Sequence, residues 1–263
     1  MNFIVTYIDA LGGVQRIHDR SALVFHEEFN LIWDATQKQF GLKRDSRFDI
    51  SYHTFSDNIC IVCGIKDEND FDSVFLDLLS FLSIFQTISN GIGIFIRGAI
   101  SYGEIISGPH FILGEALVEA VHYEENIAVY PRIITTESMM KKLGGEKLQT
   151  LIEAGLISRR DDFIPFVDYL GWFCIKCSSP SEMNEEDKEL LRNNAVQCIL
   201  ELNSINDYKT KQKLFWLATY ISNIAARVKM DDCILRYCPD CDEFICAKEL
   251  LTQTKNKLSF IRV

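Results

Sequence analysis

A chain of 263 residues, 48% hydrophobic and 24% charged, is long enough to bury a core without disulfide staples and too apolar to read as disordered. Its net charge of -10 argues against sequence-independent binding of nucleic acid and against an anionic membrane surface, since both need clustered Lys and Arg. A nucleotide is not excluded, because a divalent cation can bridge carboxylates and phosphates.

The run Met1-Asn2-Phe3-Ile4-Val5 has no basic segment ahead of it, so the expectation is a cytoplasmic protein without a signal peptide, its nine cysteines reduced. Residues 2–9 are rich in β-branched and aromatic types and predict a strand, broken at Leu11-Gly12-Gly13. A helix is predicted from Ser21, a candidate N-cap, to Phe40, with Gly41 as its stop. Residues 47–54 and 58–65 predict two strands joined at a hairpin tip, Phe55-Ser56-Asp57. Phe71, Val74, Phe75, Leu78, Leu82 and Phe85 recur at helical spacing and predict a helix over 70–89.

No charged residue occurs from Leu78 to Ile96, a length close to a bilayer span. Its Ser, Thr, Gln and Asn residues and the turn signal Asn90-Gly91 read instead as buried helix, turn and buried strand, so no membrane segment is expected. A long strand follows at 94–106, a loop opens at Gly108-Pro109, a short helix runs from Gly114 to Glu125, and Tyr130 to Ile134 forms another strand. Phe163 to Lys176 reads as one or two strands. Pro180 to Asp187 reads as a polar linker, and the acidic run Glu182 to Glu189 suits a helix start, where negative charge meets the positive end of the dipole. Two helices are predicted at 183–203 and 206–228. The fold class is therefore α+β. A β-α-β-β-α-β order, the split βαβ or ferredoxin-like pattern, predicts a domain at 1–178 with a C-terminal helical extension at 179–263.

The sharpest chemical signal is a pair of aspartates. Asp9 closes the first strand and Asp57 sits at the hairpin tip between the second and third. In a split βαβ sheet those two places lie side by side. Neighbouring carboxylates repel unless a cation sits between them, and Mg²⁺ or Mn²⁺ at a phosphate site uses one or two carboxylates with phosphate oxygens as further ligands. Both residues also suit turns, where Asp is favoured for its own hydrogen bonding, and spacing alone leaves the two readings open.

Tyr7-Ile8-Asp9-Ala10-Leu11-Gly12-Gly13 resembles the segment of class III nucleotidyl cyclases in which a metal-binding Asp precedes small or apolar residues and Gly. Phe55-Ser56-Asp57-Asn58 resembles the second metal-Asp hairpin of that family. Arg97-Gly98-Ala99-Ile100-Ser101-Tyr102-Gly103 resembles its R-x-G-I-x-x-G strand, and Gly114 to Ala120 its G-N-x-V-N-x-A helix. Together with His53-Thr54-Phe55-Ser56-Asp57 and Tyr130-Pro131-Arg132-Ile133, these segments are most similar to the bacterial pyrimidine cyclases of the Pycsar antiphage systems, over roughly residues 3–135, with Val167-Asp168-Tyr169-Leu170 as a weaker echo.

The resemblance implies an enzyme that converts UTP or CTP to the 3′,5′-cyclic mononucleotide and pyrophosphate. It implies two Mn²⁺ or Mg²⁺ ions on Asp9 and Asp57, with Ile8 counted among the metal ligands and the Ile8–Ala10 segment near the triphosphate. It also implies a homodimer with the active site between protomers, one supplying the aspartates and the other the 114–125 helix. His53 stands where purine cyclases carry a base-reading Lys, and either ring nitrogen can read a pyrimidine edge according to tautomer. Tyr52 is a candidate for stacking on the base. Arg97 and Arg132 are candidates for phosphate, which guanidinium pairs well. Glu119 lies on the helix where the family places its ribose contact. The sequence departs from purine cyclases there: the Asn and Arg positions fall on Val118 or Glu119 and on His122 or Tyr123, with no Arg. A purine (ATP or GTP) cyclase with an unusual base pocket and a non-catalytic nucleotide-sensing module of the same fold are the alternatives.

Cys233, Cys238, Cys241 and Cys246 hint at zinc, but only one tight C-x-x-C is present among them, so no zinc site is expected. The Cys60/Cys63 and Cys174/Cys177 pairs lie in predicted strands, where such spacing puts the thiols on opposite faces. Leu143-Gly144-Gly145-Glu146 reads as a helix C-cap after Lys141 and Lys142. His18, His26 and His110 show no metal-ligand spacing.

Overall fold

The computed structural model describes residues 2–13, 17–18, 21–40, 49–108, 111–160, 162–176, 182–238 and 243–245. The chain groups into two compact units, residues 1–86 with 95–169, and residues 87–94 with 170–263. The boundary expected at 178 thus falls inside the second unit.

The first unit is built on strand β1 (Asn2–Ala10), followed by helix α1 (Ala22–Phe40), the hairpin β2 (Asp49–Phe55) and β3 (Asn58–Gly64), helix α2 (Phe71–Gly91) and strand β4 (Ile96–Glu104). A short hairpin of β5 (Ile106–Gly108) and β6 (Phe111–Leu113) leads into helix α3 (Glu115–Asn126). Then come β7 (Ile133–Thr135), helix α4 (Glu137–Glu153), β8 (Ile157–Ser158) and β9 (Phe166–Val167). Among the described residues these strands form a mixed seven-stranded sheet in the order β2-β3-β1-β4-β7-β9-β8, so the architecture is α+β as expected. The β4–β7 pair is parallel and the other pairs are antiparallel.

Strand β1 is one of the two central strands of the antiparallel part β2-β3-β1-β4, flanked by β3 on one side and β4 on the other. Its alternation explains its position. Phe3, Val5 and Tyr7 pack with Cys60, Val62, Ala116 and Ala120 beneath α3. Thr6 and Ile8, with their partners Ile61 and Ile59, belong to the opposite face. That face is covered by α1 and α2. Phe25, Phe29, Ile32 and Trp33 recur along α1 at helical spacing, and the Trp33 ring meets Phe81 and Phe85 of α2. Each of these large apolar side chains contributes about 2 kcal/mol by leaving water.

Gly98 permits the tight contact between β4 and β1. A Cβ there would stand 2.5 Å from the Tyr7 carbonyl oxygen. Glu119 of α3 secures the start of α4. It accepts from the Ser138 amide at 3.0 Å and from the Thr136 hydroxyl at 3.0 Å, doing the work that the Thr136 side chain leaves undone as N-cap.

In the second unit, helix α5 (Gly171–Lys176) precedes helices α6 (Glu185–Ser204) and α7 (Tyr208–Arg227) and the small hairpin β10 (Arg236–Cys238) and β11 (Glu243–Ile245). Asn184 and Asp207 cap α6 and α7 by accepting from the Asp187 and Thr210 amides. The acidic run therefore does start a helix.

Several expectations need correction. The Asn90-Gly91 turn lies two residues early: α2 continues through Gly91 before the chain reverses. Residues 171–176 are helical, so Cys174 is not in a strand and the alternation argument fails for it. Gly144, with φ +71, kinks α4 as a stop signal should, but the helix resumes and runs to Glu153. Cys60 and Cys63 do lie in β3, buried, on opposite faces. Cys233 is buried, and Cys241 and Cys246 lie outside the described residues, as do Pro109, His110, Cys177, Pro180, Gly41 and the predicted strand start at 47–48. His18 and His26 are exposed. Among the described residues one helical segment, Glu68–Gly91, is long and apolar enough to cross a membrane, and 61% of that window is buried inside the protein.

Candidate active site at the end of the central strand

Asp9 and Asp57 come together. In the β1–β3 register Asp9 faces Asn58, the residue after Asp57, and the Ala10 amide donates to the Asp57 carbonyl at 3.4 Å. The end of the central strand is thereby fastened to the hairpin tip. Only Ser56 and Asp57 lie between the paired residues Phe55 and Asn58, and Ser56 has φ +60. A positive φ at the first central residue is what a type II′ hairpin requires and normally draws glycine, so Ser56 holds a strained conformation that fixes where Asp57 stands. Asp57 is 8% exposed.

The chain then returns past this tip. Leu11 donates to the Phe95 carbonyl at 2.7 Å, and Gly13 comes to rest against the Asp57 side chain. Any side chain at 13 would occupy the space beside that carboxylate.

Asp9 is also paired across β4. In the β1–β4 register it faces Arg97, whose Nε donates to Asp9 Oδ2 at 3.1 Å. The same Nε is 2.8 Å from Oε1 of Glu124 on α3, a residue that is 2% exposed, and Nη1 donates to the Ala128 carbonyl at 3.4 Å. Arg97 is therefore held by carboxylates of the protein itself, and the cost of an inward guanidinium is offset by ion pairing. Glu124 was not legible as a site residue, because its neighbour Glu125 is as acidic and only the helix phase brings Glu124 inward. The excess of negative charge is felt by Tyr7. Burial first, then the charges of Glu124 and Asp9, push its phenol up to about 12.

The other residues singled out by sequence part company here. His53, register partner of Cys60, shares the sheet face of Tyr7 and Asp9 and is partly buried. Tyr52 pairs with Ile61 on the opposite face, where its ring lies 4.0 Å from that of Trp33, centroid to centroid. It cannot flank a ligand together with His53, because the sheet separates them. Ile8 is fully buried inside the ladder, paired with Ile59 and Gly98, and its side chain faces away from Asp9. Arg132 is 1% exposed, ion-paired to Asp162 and set over the rings of Tyr130 and Phe166, so its guanidinium is structural. Glu119 is committed to Thr136 and Ser138.

The donor set at the strand end is hard oxygen, from Asp9 and Asp57. Among the described residues no group of three or more His, Cys, Asp or Glu is arranged to hold a metal by itself. Two carboxylates alone suit an ion that takes its remaining ligands from water and phosphate. The residues therefore fit Mg²⁺ or Mn²⁺ arriving with a nucleotide better than a closed site such as structural zinc. No protein-family model matches this sequence, and no curated protein matches it.

Proposed function

We propose that this chain is a nucleotidyl cyclase of the class III type that acts on a pyrimidine nucleoside triphosphate, UTP or CTP. The carrying observation is the fastening of Asp9, at the end of the central strand, to Asp57, at the tip of the adjoining hairpin. The connectivity supports the same reading. The order β2-β3-β1-β4, antiparallel throughout and wound as β-α-β-β-α-β, supports a ferredoxin-like core.

The reaction is an intramolecular phosphoryl transfer. The ribose 3′-hydroxyl gives its proton to water as its oxygen forms a bond to the α-phosphorus, the bond from that phosphorus to the bridging oxygen breaks, and pyrophosphate leaves with the electron pair. Catalysis of this kind rests on positioning and charge neutralisation. Asp9 and Asp57 would hold one or two divalent ions, which supply activation of the 3′-hydroxyl and neutralisation of the leaving pyrophosphate. Gly13, without a side chain, lets the 11–13 segment pack against Asp57 and hold it in place. His53, on the same face as Asp9, would read the base.

In this reading the enzyme is a homodimer, and the outward face of α3, where Val118 is exposed, belongs to the partner's active site. Its product would serve as a second messenger in a cytoplasmic antiphage response. The test is pyrophosphate release from each of the four common nucleoside triphosphates with and without Mn²⁺. Release from UTP or CTP that needs Mn²⁺ and vanishes in Asp9→Asn supports the proposal. Release that survives Asp9→Asn refutes it.

A further inference from the structure

Arg97 stands between two carboxylates that differ in surroundings. Asp9 is at the strand end beside the hairpin tip, whereas Glu124 is buried under α3. Nε of Arg97 is 3.1 Å from Asp9 Oδ2 and 2.8 Å from Glu124 Oε1, so one nitrogen already touches both partners. The third contact, to the Ala128 carbonyl, comes from Nη1 and anchors the guanidinium on the Glu124 side. A divalent ion on Asp9 repels a guanidinium bonded to the same carboxylate. Arg97 can yield Asp9 without entering solvent, because Glu124 Oε1 lies 2.8 Å from the same Nε and can take its hydrogen.

We propose that Glu124 is a positioning residue, which keeps Arg97 when a divalent ion takes Asp9 and so sets the affinity of the site for metal. This rests on the reading of Asp9 and Asp57 as metal ligands. Glu124 itself touches neither metal nor substrate. Its carboxylate lowers the cost of releasing Asp9, and the arginine stays beside the site rather than being lost from it.

The experiment is Mn²⁺ binding to the full-length protein without nucleotide, read by the paramagnetic resonance of free Mn²⁺, with Asp9→Asn to identify the site. Glu124→Gln keeps the shape and removes the charge, leaving Asp9 as the one carboxylate of this pair to hold Arg97. It is expected to weaken Mn²⁺ binding by roughly tenfold. Arg97→Gln removes the competing cation and is expected to strengthen binding by a similar factor. A merely structural glutamate would lower the melting temperature and leave Mn²⁺ affinity unmoved. Unchanged affinity in a folded Glu124→Gln overturns the inference. Should that variant fail to fold, unchanged or weaker binding in Arg97→Gln overturns it instead. Wild-type binding that Asp9→Asn does not reduce overturns the metal-site reading as well, and so is distinguished from failure of the inference alone.

Discussion

Gly13 lies so close to Asp57 that a Cβ on the glycine would stand 2.5 Å from the Asp57 Cβ and 2.6 Å from its Oδ2. A Cβ–Cβ approach of that length cannot be relieved by turning one carboxylate. The backbone of the hairpin tip or of the 11–13 segment must move. Gly13→Ala is therefore expected to destabilise the fold by about 1–3 kcal/mol in denaturant titration, as overpacking does. It should also displace Asp57 and lower cyclic-nucleotide formation by at least about tenfold, a loss that a 1 Å misplacement can produce. Full activity in Gly13→Ala would show that the contact does not matter to Asp57.

Glu119 separates a structural from a binding role. Its carboxylate receives the Ser138 amide and the Thr136 and Ser138 hydroxyls at the start of α4. Glu119→Ala is expected to lower stability by about 1–2 kcal/mol, the usual worth of a helix cap. KM for the nucleotide should stay as in the wild type. A raised KM with unchanged stability would return Glu119 to the nucleotide.

The Arg132–Asp162 pair sets an acid limit on stability. Burial alone would raise the Asp162 carboxyl, but the hydrogen bond and charge of Arg132 outweigh it and hold it below the usual range. A depressed carboxyl contributes stability that is present above its unfolded value and is lost as pH falls through the folded one. Asp162→Asn removes the opposite charge from a guanidinium that is 1% exposed and is expected to cost about 2–3 kcal/mol. Thermal melts through the acid range should show the wild type losing its advantage over Asp162→Asn as the carboxyl protonates.

Cys60 sets a limit on the alkaline side. Burial pushes its thiol from 9.0 to about 12. A group raised in the folded state contributes stability that is complete below its unfolded value and is lost as pH rises through the folded one. Stability should therefore decline as pH rises from 9.0 towards about 12, and less steeply in Cys60→Val. Near neutral pH the folded protein should shield this thiol from alkylating reagents, and rapid labelling there would contradict the burial.

The elements that carry the site were legible because their patterns are local. The β-branched run at 2–9, the helical apolar spacing at 70–89 and the Phe55-Ser56-Asp57 tip each declare an element, and the sheet then brings Asp9 to Asp57. What sequence could not give was the face on which each side chain falls. Tyr52 and His53 are neighbours in the chain, yet one stacks on Trp33 and the other shares the side of Asp9, a distinction set by strand register. Arg132 reads as a phosphate ligand until Asp162, distant in sequence, is seen to hold it. The long helix α4 was missed because Gly144 and Gly145 look like an end, and tertiary packing of Met139, Leu143, Leu148 and Leu151 carries the helix across the kink. Residues 171–176 read as strand from their aromatic content, whereas a Leu170–Tyr220 hydrogen bond and burial of Phe173 fix a short helix.

The most direct test of the central claim is to incubate the full-length protein with ATP, GTP, CTP and UTP and Mn²⁺, and to identify the products by mass spectrometry beside Asp57→Ala. The account predicts a 3′,5′-cyclic mononucleotide from UTP or CTP and none from the variant. Cyclic product from a purine nucleotide alone, or the same product from Asp57→Ala, would contradict it.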